Sequence, residues 1–219
     1  MSKFIYDEVI ADLSDKVQRD AFKQIKPRLR QKQRVLVTRR YAPQAYTYQK
    51  QHNIVGRVIN MYDYFQDAID VPVHDLHIRK TPLIDHKQLK IVGVSPNESD
   101  LYYEGTQVAK VDIAPLTVQL IGTITWLNPM GEPASCDFYD RRGFLSSTQY
   151  FHRNGNMGHQ IMFSPDGTPK MEIICMARDG KEQVTGYKLL NYQGADYLFA
   201  NEQEVWNFFK AELESGVVR

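Results

Sequence analysis

The segment Phe138–Leu145, FYDRRGFL, holds the densest group of side chains that could do chemistry. Adjacent arginines beside aromatic rings can hold a phosphate group or stack on a sugar ring. The alternative is a hairpin whose arginines are solvated and whose acidic residue pairs locally, and the residues alone favour neither. The candidate binding residues are Tyr139, Asp140, Arg141, Arg142 and, in the next predicted strand, Tyr150.

Catalytic and metal-binding patterns are scarce. The sequence contains no G-x-S-x-G, H-E-x-x-H or C-x-x-C motif, and no G-x-G-x-x-G or P-loop phosphate turn. His74 and His77 lie three residues apart, but no carboxylate or cysteine accompanies them at the spacing of a zinc site. We therefore predict no catalytic residue, no metal site and no cofactor. Cys136 and Cys175 fall on predicted strands too far apart for a disulfide, so we expect two buried thiols.

The net charge is only +1, but its distribution is uneven. Between Asp20 and Asp63 there is no acidic residue, so this interval carries +10 against −9 for the rest of the chain. This interval could face an anionic partner. Alternatively, it could be solvated or paired within the chain with the acidic remainder, and we favour this alternative. We do not expect nucleic acid as a partner, because no nucleic-acid fold motif is present.

The sequence shows neither a membrane helix nor a secretory signal. No apolar run approaches the roughly 18 residues that a membrane span needs. The N-terminus MSKFIYDEVIADLSDK lacks the apolar core of a signal peptide. We expect a cytoplasmic protein without an integral membrane segment.

The first 70 residues alternate between helical and strand patterns. Apolar residues recur every four positions from Val9 to Ile25 and predict a helix that Pro27 bends or ends. Short strands are predicted at RVLVT and GRVIN, and short helices at PQAYTYQKQHN and MYDYFQDAI. At most one βαβ-like unit results, which is too little for a doubly wound sheet.

From about Leu76 the apolar period changes to two, which predicts strands. The runs DLHIRK, QLKIVGV, LYYE and QVAKVDI are short, and LTVQLIGTITWL alternates from Leu116 to Trp126. Turn signals then recur regularly, with Gly143, Gly155 and Gly167 at intervals of twelve. Such short loops connect antiparallel hairpins, so we predict a long β-meander.

The chain closes with NEQEVWNFFKAELES, which predicts a helix. Asn201 followed by Glu204 is a capping-box-like start, and the apolar stripe includes Phe208 and Phe209, our candidate oligomer contacts. The predicted fold class is α+β: a long antiparallel meander, a partial Rossmann-like α/β segment at the N-terminus and a C-terminal helix. The expected divisions are residues 1–70, 71–200 and 201–219.

The run DFYDRRGFLSSTQYF…GHQIMFSPDGTPKMEI, followed by YKLLNYQGADYLFANEQEVWNFF, resembles a region of bacterial glycosyltransferases. These two-domain GT-B enzymes of Gram-positive bacteria modify serine-rich adhesins or wall teichoic acid, and carry an extended β-sheet domain inserted into their N-terminal Rossmann domain. VINMYDYFQ, Val58–Gln66, looks like the lead-in to that sheet. The resemblance covers approximately residues 30–215. Its matching residues are Asp140, Arg142, Gly143, Phe144, Leu145, Ser146, Phe163, Pro165, Asp166 and Gly167.

The resemblance implies that the donor site and the catalytic carboxylates belong to a further Rossmann domain, with no counterpart in these residues. We therefore expect this chain to be inactive alone and to serve as a non-catalytic acceptor-recognition or assembly module. The implied partners are a protein or teichoic-acid acceptor, a glycosyltransferase catalytic subunit and further copies of the chain. Two alternatives stay open: part of a complete retaining glycosyltransferase, or a nucleic-acid-binding protein using the basic segment 23–57.

A long meander also offers a physical basis for binding. Its two edge strands expose unpaired backbone groups that invite another strand, and one broad face is left open. Because turn-flanking arginines usually contribute little to a core, we expect replacement of Arg141 and Arg142 by Ala to weaken acceptor or partner binding without unfolding the chain.

Overall fold

The structure, a computed structural model, describes residues 3–8, 16–29, 34–178 and 181–216. A parallel sheet of three strands, β1–β3, is followed by an antiparallel sheet of ten strands, β4–β13, arranged in sequence order. The α+β meander predicted from the sequence is confirmed. The elements are β1 Phe4–Asp7, α1 Lys16–Leu29, β2 Val35–Thr38, α2 Ala45–Gln51, β3 Val58–Asn60, α3 Met61–Phe65, β4 Leu89–Ser95, β5 Glu98–Tyr103, β6 Thr106–Ile113, β7 Ile121–Leu127, β8 Pro133–Tyr139, β9 Leu145–Phe151, β10 Met157–Phe163, β11 Pro169–Arg178, β12 Lys181–Tyr192, β13 Ala195–Phe199 and α4 Glu202–Glu214.

The small sheet contains one more βαβ unit than the sequence suggested. β1 pairs in parallel with β2, and β2 with β3, so α1 and α2 each connect two neighbouring parallel strands. The strand FIYD was missed because it is short and precedes an apolar helical pattern. The early part of that pattern, residues 9–15, lies outside the described residues. Pro27 lies inside α1 and does not end it, and Phe22, Ile25 and Leu29 are buried against the sheet.

The evenly spaced glycines are the turns of consecutive hairpins. Gly143, Gly155 and Gly167 have φ values of 94°, 80° and 85° and follow β8, β9 and β10. Glycine enters this left-handed region without the penalty of a Cβ atom. The three strands before these turns have seven residues each, which gives the interval of twelve.

Two predicted strand segments differ in the structure. β7 begins only at Ile121, because Leu116 and Gln119 both have a φ of 59° and break the extended chain, leaving Leu116 and Val118 exposed. The run DLHIRK forms a single bridge, between His77 and Leu120, instead of a strand. This segment belongs to a covering layer that contributes the buried residues Ile78 and Ile84.

The long sheet buries a different face in each half. Directly opposite residues of paired strands have side chains on the same face, so the register defines rows that cross the sheet. The first row is Ile91, Leu101, Ala109, Trp126, Ser135, Tyr150, His159 and Ile174. A row on the other face is Thr125, Cys136, Gln149, Gln160, Ile173, Tyr187 and Phe199.

The first row is buried at Leu101 and Ala109 but exposed at Tyr150 and Ile174. The second row is buried at Gln160, Ile173 and Tyr187. The apolar core therefore lies on one face in the first half and on the opposite face in the second half.

The predicted C-terminal helix covers the second half of the sheet. Asn201 caps α4, since its Oδ1 accepts from the Glu204 amide at 3.0 Å. Phe209 is fully buried, and Phe208 packs between Phe65 and Phe199 with ring centroids at 6.2 and 5.4 Å. Both rings pack within the chain, because α4 turns its apolar stripe towards its own sheet, and the oligomer contact expected at Phe208 and Phe209 stays a prediction.

Candidate functional site

The FYDRRGFL hairpin connects β8 to β9 and is largely buried. The side chains of Tyr139, Asp140 and Arg142 are inaccessible to an acceptor in this structure. The Arg142 guanidinium forms a two-pronged pair with Asp140, from Nε to Oδ1 at 2.7 Å and from Nη2 to Oδ2 at 2.8 Å. Nη2 also donates to Oδ1 of Asp63 at 2.9 Å, and Nη1 donates to the carbonyl of Ala68. Arg142 therefore ties this hairpin to the segment around α3.

Two carboxylates share the single guanidinium of Arg142. Burial raises the pKa of Asp63 to about 6, the positive charge of Arg142 opposes this rise, and the nearby charge of Asp140 adds to it. Burial alone would lower the pKa of Arg142, but its hydrogen bond to Asp140 and the charge of Asp63 raise it above its usual value. The guanidinium is therefore permanently charged, and the pKa of Asp63 lies above the usual range of a carboxyl.

Two further residues of the glycosyltransferase-like motifs, Ser146 and Phe163, contact the same segment, Met61–Ala68, which we call the strap. Nε2 of Gln66 donates to the carbonyls of Ser146 and Phe163, both at 2.7 Å. Nζ of Lys170 lies 2.8 Å from Oδ2 of Asp67. The motifs thus hold the strap on the sheet. The polar positions of Asp63 and Gln66 among apolar neighbours are the sequence signal that could have revealed this role.

Arg141 lies on the other side of the same turn and is mostly covered. Its Nη1 lies 2.9 Å from Oδ1 of Asp75, and its amide donates to the carbonyl of Pro43 at 2.9 Å. The side chain therefore links the hairpin to the layer that covers the first half of the sheet. The structure separates Arg141 from Arg142, although the sequence places them side by side.

Tyr150 is the candidate residue that the structure leaves open, with 44 % of its surface exposed. Its ring stacks on that of His159 with centroids 6.3 Å apart and planes 26° apart. Both lie on the face of β9–β13 that points away from α4, which we call the open half-face. Its side chains include Tyr150, His159, Glu172, Ile174, Met176, Lys188 and Leu198.

Part of the basic interval is paired within the chain. Arg39 contacts Oε2 of Glu8 at 2.8 Å and Oε2 of Glu202 at 3.0 Å, and so joins the small sheet to α4. Arg57 donates to the carbonyl of Leu29 at 3.1 Å. These contacts agree with the solvated or internally paired face that we favoured for the interval, and Arg30 and Lys32 lie outside the described residues.

The described residues also bear on metals, membranes and thiols. Over residues 3–8, 16–29, 34–178 and 181–216, no group of three His, Cys, Asp or Glu side chains could hold a metal ion. The helices in this part of the chain are all too short or too polar to cross a membrane. Cys136 and Cys175 are buried thiols on β8 and β11 and form no disulfide, as the sequence predicted.

Comparison with protein-family models and with the curated proteins finds no match. Solved structures do match. The Glycosylation Associate Protein (Gap123) complex from Streptococcus agalactiae aligns with 94 % of this chain at 18 % identity and a TM-score of 0.71. The accessory secretory protein 1, 2 and 3 structure in Streptococcus pneumoniae aligns with 89 % at 23 % identity and a TM-score of 0.71. The GtfA/B complex bound to UDP and GlcNAc aligns with 96 % at 15 % identity and a TM-score of 0.70.

The matched chains are much longer than this one, which spans 38 % of the first two and 42 % of the third. At these identities the comparison establishes the fold. The resemblance carried by the sequence motifs is confirmed at that level: this chain has the fold of a part of Gram-positive glycosyltransferase and glycosylation-associated complexes.

Proposed function

We propose that the chain is a glycosyltransferase-related binding module, which recognises an acceptor and assembles with a catalytic partner but does not itself transfer sugar. The observation that carries this proposal is the recurrence of the whole fold, over 94 % and 96 % of this chain, in the Glycosylation Associate Protein complex and in the GtfA/B complex. One of them is described with UDP and GlcNAc bound. The greater length of the matched chains supports a catalytic part outside these residues.

The open half-face suits an extended acceptor. Tyr150 and His159 offer a stacked aromatic pair, and Ile174 and Leu198 are exposed apolar side chains on the same face. Aromatic rings provide a large contact area with little loss of conformational entropy, and can stack on a sugar ring. Exposed apolar groups clustered on one surface are typical of interaction sites. Either a protein or a teichoic-acid acceptor could lie across these strands.

The free edge of β4 suits a partner subunit. β4 pairs only with β5 among the described strands, and its residues Gly93, Val94 and Ser95 are exposed. An unpaired strand edge can add a strand from another chain through main-chain hydrogen bonds. A catalytic subunit or a second copy of this chain could therefore extend the sheet here.

The acceptor surface can be tested with Tyr150→Ala. Binding of a fluorescent serine-rich peptide carrying GlcNAc, and of a poly(glycerol phosphate) chain, is measured by anisotropy. Since a well-placed aromatic side chain contributes about 1–2 kcal/mol, we expect one ligand to bind roughly five- to thirtyfold more weakly. Tyr103→Ala is the matched control, because Tyr103 is 42 % exposed and lies on β5.

Two results would contradict the proposal. One is binding by Tyr150→Ala that equals binding by the unmodified chain. The other is transfer of radiolabelled GlcNAc from UDP-GlcNAc to the peptide by the chain alone. The mass of the native polypeptide would separate a free module from part of a complete transferase.

A further inference from the structure

A cleft of about 560 Å³ lies at one end of the second half of the sheet. It is bordered by the strap and the residues after it, by the β10–β11 turn and by the β12–β13 turn. Its volume falls within the roughly 300–1,000 Å³ that is usual for small-molecule sites. The cleft includes Phe65 and Leu189 of the buried face, so it lies on the side of the sheet opposite to the open half-face.

An aromatic wall lines the cleft and is held in place. The hydroxyls of Tyr64 and Tyr192 lie 3.2 Å apart, and that of Tyr192 donates to Oε2 of Glu212 at 2.8 Å. Phe65 packs edge-on against Tyr192 with centroids 5.4 Å apart. Because these rings are fixed by packing and hydrogen bonds, a ligand loses little free energy in ordering them. Ile69 and Pro165 add further apolar surface.

The rim is polar and acidic. Asp67 is neutralised by Lys170 at 2.8 Å. The Asp70 carboxylate contacts no hydrogen-bond or ionic partner among the described residues, and it is exposed at the mouth. Hydrogen bonds from Ser164 and from the Thr168 amide lower the pKa of Asp166 to about 2, so this carboxyl is ionised. Three carboxylates and one ammonium give the rim a net charge of −2 and disfavour phosphate groups.

We propose that this cleft binds an uncharged, hydroxyl-rich ring of the N-acetylhexosamine class. The carboxylates of Asp70 and Asp166 can accept from ligand hydroxyls in charge-assisted hydrogen bonds. The apolar face of a sugar ring can lie on the wall formed by Tyr64 and Tyr192. A nucleotide or a glycerol phosphate would place its negative charge against the acidic rim. The site is separate from the acceptor surface at Tyr150 and does not rest on the function proposed there.

The test titrates the chain with N-acetylglucosamine and follows its amide resonances by NMR. We expect saturable shifts at Asp67, Asp166 and Gln193, which border the cleft. Asp70→Asn removes one charged acceptor and should weaken binding about tenfold or more. The matched control is Glu104→Gln, because Glu104 carries an exposed carboxylate in the distant β5–β6 turn. This variant should bind N-acetylglucosamine as tightly as the unmodified chain does.

Tetramethylammonium and inorganic phosphate serve as competing probes. The proposal is overturned if N-acetylglucosamine gives no saturable shift, or if its shifts appear at Tyr150 and not at the cleft. It is also overturned if tetramethylammonium alone binds the cleft, since the acidic aromatic site would then select cations. Sugar shifts at the cleft that persist in Tyr150→Ala support the proposal whatever becomes of the acceptor surface.

Discussion

The first half of the ten-stranded sheet, β4–β7, buries one face under the covering layer that contains Ile78 and Ile84, whereas β10–β13 bury the other face under the strap and α4. The backbone ladder runs through both halves without a break. A group of buried polar side chains lies between them, at Asp140, Arg142 and the run Ser146–Thr148. Where a core changes faces, neither covering layer is complete, and a hydrogen-bonded polar cluster joins the two layers there.

The largest expected effect on stability lies where the core changes faces, at the ion pairs of Arg142 with Asp140 and Asp63, which we call the junction. Arg142→Ala leaves the buried Asp140 and the partly exposed Asp63 without their shared cation, so we expect a loss of about 3–5 kcal/mol in unfolding free energy. Arg141→Ala removes a single pair near the surface and should cost no more than about 1 kcal/mol. Urea denaturation measures both. For Arg142 this prediction departs from the expectation that both arginines could be replaced without unfolding the chain. Equal small losses for the two variants would contradict the structural role of Arg142.

The turn glycines predict a second, smaller difference. Gly143 and Gly155 both have positive φ, but a Cβ on Gly143 would lie 1.9 Å from the carbonyl oxygen of His74, whereas a Cβ on Gly155 would meet no atom within 4 Å. Gly155→Ala should therefore cost only the left-handed backbone penalty of about 1–2 kcal/mol. Gly143→Ala must also push the segment at His74 away from the hairpin and should cost more. Thermal unfolding compares the two, and equal changes in melting temperature would show that the covering layer yields freely.

Most of the meander could be predicted from sequence, because turn glycines and period-two alternation are local signals. The alternation from Leu116 to Val118 misled because positive φ at Leu116 and Gln119 breaks the strand, and such conformations are rare for these residue types. Local pattern equally cannot decide whether an arginine is solvated. The burial of Arg142 could not be predicted from local sequence, because its partners Asp63 and Ala68 lie more than 70 residues away in the chain.

The candidate surface was only partly predictable for the same reason. Ile174 lies between the buried residues Ile173 and Cys175, and this alternation correctly indicates a sheet with two different faces. Which face is covered depends on α4 and on the layer before β4, and both pack from distant parts of the chain. The face change between β7 and β10 has no local signature.

The smallest predicted effect is a pH dependence confined to the junction. The pKa of Asp63 is about 6 in the folded chain, against an ordinary value of 3.8 for this group. Between these values the folded state holds more protons than the unfolded state, so this group makes the unfolding free energy fall as pH rises from about 4 to about 6. The slope should stay below about 1.4 kcal/mol per pH unit, since one proton is involved.

Asp63→Asn keeps an acceptor for Arg142 but cannot titrate, so its unfolding free energy should vary less over that window. Urea denaturation at several pH values between about 4 and 7 makes the comparison. Asp166 does not interfere, because its pKa of about 2 places its own loss of stability at lower pH. If both chains keep the same slope, Asp63 is fully ionised throughout. The two carboxylates at Arg142 would then both be charged, and the junction would carry a net negative charge where the core changes faces.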